Sequence, residues 1–162
     1  MGTLLLLVLA ASSAAPRPDL VRLAIPIQAD AVRRSLAKAM ERMEDARCQK
    51  VLIDFHDAAG RTLRENLDAM GETPSGLLGR LFFYDGDRLP ACADEGSRTF
   101  ALTSPGSRVI FVCGTRFHAA WQRNPPWGEV TLIHEALHSL GLGENPPSSE
   151  AISRHVAWTC PP

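Results

Sequence analysis

No run of basic residues longer than the pair Arg33-Arg34 occurs in this sequence, and its 17 lysines and arginines are offset by 18 aspartates and glutamates. A nucleic-acid partner is therefore not expected, because a phosphate backbone calls for a concentrated cationic face. The four cysteines form no C-x-x-C pair, which argues against a metal knuckle or a dithiol redox motif. Internal repeats, low-complexity segments and linkers are also missing. A chain of 162 residues with 45% hydrophobic content then reads as one domain with a substantial core. The longest unbroken apolar run, Leu4 to Ala11, is well short of the roughly 20 residues that span a bilayer.

That run is followed by Ser12-Ser13-Ala14-Ala15, the pattern of a secretory h-region and a small-residue cleavage site, although Met1-Gly2-Thr3 carries no positive charge. A signal peptide over residues 1–15 is expected, with residues 16–162 as the exported domain. No cysteine follows the run, so a lipid anchor is not indicated. The expectation is a secreted or periplasmic protein without stable membrane insertion after signal removal, and a monomer. Cys48, Cys92, Cys113 and Cys160 fit two disulfides in an oxidising compartment. Of the three possible pairings we expect Cys92 with Cys113, which flank a hairpin, and Cys48 with Cys160, which would tie the last helix to the first ones.

Periodicity and turn chemistry give mostly helices. Ala29 to Arg47 is amphipathic, with Asp30 as a candidate N-cap and Val32, Leu36, Ala39, Met40 and Met43 at helical spacing. A second helix is expected over Gln49 to Asp57. Thr62 with Glu65 has the form of a capping box opening a helix to Met70, and Thr73-Pro74 opens a short one. Leu81 to Tyr84 reads as a strand. Thr99 to Thr103 and Val109 to Cys113 flank the turn residues Ser104-Pro105-Gly106-Ser107 and should pair as a β-hairpin. Gly114 to Arg123 is helical, and a last helix runs from Ser148 or Ser149 to about Cys160. The fold class is α+β, mainly helical, with a small antiparallel sheet or hairpin.

Chemistry concentrates in His134-Glu135-Ala136-Leu137-His138, inside an apolar-patterned stretch from Val130 to Leu142 that contains no proline and no charge except Glu135. On a helix, residues four apart share a face, so His134 and His138 can turn one imidazole nitrogen each toward a single zinc ion. Glu135 falls beside that pair, where its carboxylate can act as general base toward water. Unpaired titratable groups inside an apolar helix are costly, which argues for a functional reason to carry them.

The run His134-Glu135-x-x-His138-x-x-Gly141 resembles the zincin metallopeptidases, and its glycine resembles that of the metzincin clan, where the chain turns back toward the metal after the active-site helix. The resemblance puts the third ligand at Glu144, where the clan has His or Asp. Glu150 and His155 are alternative ligands. All four methionines precede the motif, so the methionine-containing turn of metzincins is absent, and the resemblance spans only Glu129 to about Glu144. It implies a minimal zincin, similar to small secreted bacterial zincin-like proteins, with the hairpin packed on the motif helix.

What the resemblance implies for function is a zinc metallopeptidase acting on a peptide or protein substrate, with Zn2+ on His134, His138 and Glu144, and Glu135 as the base. An edge strand of the hairpin would hold extended substrate, and Tyr84, Arg154 or His155 are candidates to stabilise an oxyanion. His56 with Asp57 read as helix-end residues, and His118 as packing or as a support to the metal ligands. The alternatives are a zinc-binding protein without catalysis and a disulfide-stabilised interaction module with a vestigial site.

Overall fold

A computed structural model describes residues 20–161 of the chain; the expected signal peptide lies outside the described residues. The first helix, α1 (Pro26–Met43), starts earlier than the sequence suggests. Pro26 sits in its first turn, where a missing N–H costs nothing, and Asp30 lies inside the helix as an ion-pair partner of Arg34 at 2.8 Å. Ala31, Val32, Leu36 and Ala39 have no solvent exposure and form the centre of the core.

After a 3₁₀ turn at Cys48–Lys50 comes α2 (Val51–Asp54), shorter than expected because Phe55 is extended. Helix α3 (Leu63–Ala69) opens with the full capping box: Thr62 accepts from the Glu65 backbone N–H and Glu65 accepts from that of Thr62. Thr73 caps α4 (Pro74–Leu78). Later come α5 (Pro90–Ala93), α6 (Gly114–Arg123), α7 (Pro125–Ser139) and α8 (Ser149–Thr159), the last capped by Ser148. Helix α7 starts well before the apolar stretch because Pro125 and Pro126 stand in its first turn.

The sheet corrects one expectation. It is mixed, in the order β1-β2-β4-β3, formed by β1 (Val21–Arg22), β2 (Phe82–Asp85), β4 (Val109–Val112) and β3 (Ala101–Leu102). Only β3 and β4 are antiparallel, as the hairpin predicts; β1 with β2 and β2 with β4 run parallel. Parallel neighbours need long crossovers. The helices between β1 and β2, and the segment from Gly86 to Arg108, supply them.

Helix α1 packs on α7, α6 and α4, and α8 also packs on α7. The approach of α1 to α7 depends on Gly128, where a Cβ would stand 2.4 Å from Ser35 Oγ. Beside it the buried pair Arg42 and Glu129 joins the helices at 2.5 Å, and Arg42 also donates to the Cys160 carbonyl at 2.9 Å. Both disulfides pair as expected, Cys48–Cys160 and Cys92–Cys113. With no free cysteine among the described residues, the chain fits an oxidising, extracellular-type environment. No helix of the described residues is long and apolar enough to cross a membrane.

Candidate metal centre

His134, Glu135 and His138 lie on the last two turns of α7, all at or below 5% exposure. The helix ends in a Schellman motif. Gly141, at φ 105°, donates to the His138 carbonyl at 2.8 Å, and Leu142 donates to the Leu137 carbonyl at 3.2 Å. A residue with a side chain would be strained at that φ and would meet Asp57 Cβ at 3.3 Å. The reversal returns the chain over the helix end and brings Glu144 to the two imidazoles.

The three donor atoms converge. His134 Nε2 and His138 Nε2 are 2.9 Å apart, and Glu144 Oε1 stands 3.4 Å from the first and 3.2 Å from the second. Donors about 2.1 Å from a tetrahedral ion are about 3.4 Å from one another, so these separations are at or slightly inside what one small cation requires. Among the described residues this is the group of histidine and acidic side chains able to hold a metal ion.

Ring orientation supports the same conclusion. His138 Nδ1 is 2.7 Å from the Leu142 carbonyl, which can only accept, so the ring proton is on Nδ1 and Nε2 presents a lone pair. His134 Nδ1 faces Ser153 Oγ on α8 at 2.9 Å, and donation there leaves its Nε2 as a second lone pair. Burial, then the neighbouring His138, holds His134 down at about 4, so its ring is neutral at ordinary pH. Two imidazole nitrogens and a carboxylate oxygen so placed are able to hold a cation between them.

Glu135 is not part of that cluster. Its Oε2 is buried and has no hydrogen-bond partner among the described residues. Burial, reinforced by the charge of Glu144, pushes its carboxyl up to about 8. An orphaned acid beside a donor set is poised to exchange a proton with something in the adjoining space.

That space is an open cleft of about 850 Å3. Its floor is α7, through Trp127, Thr131, His134 and Glu135; one wall is the segment Arg98 to Thr103, which includes edge strand β3; the other is α8, through Ser149, Glu150, Ser153, Arg154 and Ala157.

Other sequence candidates lie elsewhere. Glu150 lines the cleft but is exposed and stands 3.9 Å from Arg154, outside the metal cluster. His155 turns away, to Asp54 at 2.8 Å and the edge of Phe55. Tyr84 packs with Phe111 and Arg22 and does not line the cleft, leaving Arg154 of the three oxyanion candidates on its wall. His118 stacks on Trp121.

Two features escaped the sequence reading. Ser153 orients His134 from 19 residues away, and no local pattern marks it. Asn66, on α3, donates from Nδ2 to the Leu140 carbonyl and to Asp57 Oδ2, both at 2.9 Å. The Asp57 carboxyl also accepts from the Ala59 and Arg61 backbone and from the Arg61 side chain. These bonds, that from Asn66 first, hold it well below the usual carboxylate range. The two residues brace the turn that carries Leu142 and Glu144. A scan against family models, a search of curated proteins and a search of solved structures each found no match to this chain.

Proposed function

We propose that this chain is a secreted zinc-dependent metalloendopeptidase of the minimal zincin type, with His134, His138 and Glu144 as metal ligands and Glu135 as general base. The observation that carries the reading is the placement of an orphaned, buried carboxylate beside three converging donors on the floor of an open cleft. Two imidazoles and one carboxylate suit zinc, and three protein donors leave a position for water or substrate, as catalytic sites require and closed structural sites do not. When bound, the ion supplies a Lewis acid that polarises a carbonyl and brings the pKa of water toward neutrality.

The chain's own groups do the rest. Glu135 Oε2, buried beside the three donors and without a hydrogen-bond partner among the described residues, takes the proton of the attacking water and delivers it to the leaving amine nitrogen. Strand β3 has β4 on one side only and borders the cleft, so its outward backbone groups are available to an extended peptide. A silent zinc protein would need a fourth protein donor. His155, one of the alternative ligands in the sequence, is bound to Asp54.

The test is metal content together with peptide hydrolysis. Elemental mass spectrometry of protein purified without added metal or chelator should find about one zinc per chain, lost in His138→Ala. Glu135→Gln should keep the zinc and lose hydrolysis of a peptide mixture by roughly 10²–10⁴-fold. A folded protein that takes up no zinc, or a Glu135→Gln variant that cleaves as well as the wild type, would sink the reading.

A further inference from the structure

We propose that the cleft selects peptides carrying a large apolar side chain with an acidic one nearby, and that Arg98 is the residue that recognises the acid. This rests on the peptidase reading of the same site and names its substrate class.

The apolar half of the preference comes from α7. Trp127, Thr131 and Glu135 are four residues apart, so they form one stripe along the cleft floor. Thr131 donates its hydroxyl proton to the Trp127 carbonyl at 2.9 Å, which leaves no free donor there. At about 1.5 Å per residue the Thr131 and Trp127 positions lie about 6 and 12 Å from the base along the helix, the reach of about two to four residues of extended peptide. Phe100 borders the same space from the facing wall. A small or polar side chain would leave that surface wet, whereas a large apolar one covers it.

The acidic half comes from the balance of charge. Two carboxylates of the cleft, Glu135 and Glu144, belong to the centre, and the third, Glu150, has Arg154 as its neighbour on α8. On the opposite wall Arg98 lines the cleft and has no hydrogen-bond or ion-pair partner among the described residues. The chain on either side of it is held in place. Arg116 donates to the carbonyls of Thr99 at 2.9 Å, Asp94 at 2.8 Å and Cys92 at 3.2 Å, and Cys92 is itself bonded to Cys113. Arg98 therefore offers a guanidinium from an anchored segment two residues before Phe100, and its fork of donors matches a carboxylate. Because Phe100 and Arg98 share a wall, the apolar and acidic side chains of the ligand fall within a few residues of each other.

The experiment uses peptide pairs that differ only by Asp or Glu against Asn or Gln at each position around a bulky apolar residue. Cleavage by the zinc-loaded wild type and by Arg98→Glu is read by mass spectrometry, and binding of the same pairs to zinc-loaded Glu135→Gln is read by calorimetry. The wild type should favour the acidic member by about tenfold at one position, mainly in KM, and Arg98→Glu should lose that preference and favour the neutral member there instead. The same tenfold difference should appear in binding to Glu135→Gln and vanish when Arg98→Glu is added. A wild type with no acidic preference, or a preference that survives in Arg98→Glu, overturns the assignment. If no peptide is cleaved, the peptidase reading fails by itself; acid-selective binding that depends on Arg98 would still support the cleft's preference, and its absence would overturn it.

Discussion

A carboxyl that prefers its proton in the folded chain makes stability depend on pH in a definite direction. Glu135 has an ordinary value of 4.5 and is pushed up to about 8 by burial and by Glu144. Its contribution to stability is complete below 4.5 and is lost as pH rises through 8. His134 works in the opposite sense. It is held at about 4 against an ordinary 6.5, so its contribution is complete above 6.5 and lost as pH falls toward 4. In metal-free protein the two slopes oppose each other between 4.5 and 6.5, and above 6.5 only the loss from Glu135 remains. Glu135→Gln should remove that alkaline loss and keep the acid one. Urea midpoints measured from pH 4 to 9 on chelator-treated wild type and variant test this; two parallel profiles would refute the assignment. At this scale the sequence disclosed the residues a helix sets at fixed spacing, His134, Glu135 and His138. Glu144 was reached only through the resemblance, which sets the third ligand three residues after Gly141. Ser153 was invisible, because the contact that matters is made across the packing of α8 on α7.

Three helix starts were legible from a local cap, whereas Asp30, the cap expected for α1, lies inside that helix. Thr62 with Glu65, Thr73 with Pro74, and Ser148 each mark a helix start that the structure reproduces. Two-residue β1 escaped notice, and so did the parallel pairing of β1, β2 and β4, because partner choice in a sheet is set by distant packing and not by the strand's own residues. The function of α3 was equally hidden. Its capping box is local, but its consequence is to aim Asn66 at the end of α7, 74 residues further along the chain. Removing that amide in Asn66→Ala leaves the Leu140 carbonyl and the buried side of Asp57 without their donor, at a cost of about 1–3 kcal/mol. If the brace serves the metal loop, zinc affinity measured against a chromophoric chelator should also fall, by roughly 10–100-fold, as for other partners that orient ligands. A variant that melts earlier but binds zinc as tightly would show that Asn66 supports the fold alone.

For the whole molecule, the decisive constraint is the closure between the turn that follows α1 and the end of α8. Cys48 and Cys160 are 112 residues apart, and the loop they close contains every strand except β1 and the entire candidate metal centre. Cys92 and Cys113 close a loop of only 21 residues. Loop-closure entropy assigns about 5 kcal/mol to the first and about 3 kcal/mol to the second. Their positions separate them further. The long-range bond fastens the end of α8, the cleft wall that carries Ser153, where Arg42 and Arg47 also hold the carbonyls of Cys160 and Trp158. The short one fastens the segment leading to Arg98 and β3. Replacing Cys48 and Cys160 by serine should therefore lower the urea midpoint more than replacing Cys92 and Cys113, and should weaken zinc binding because α8 loses its anchor. The second pair of substitutions should spare zinc affinity and impair peptide recognition on the β3 wall. Measuring urea midpoint, zinc affinity and peptide binding on both variants separates the two roles; equal losses in all three would mean that the disulfides act on global stability alone.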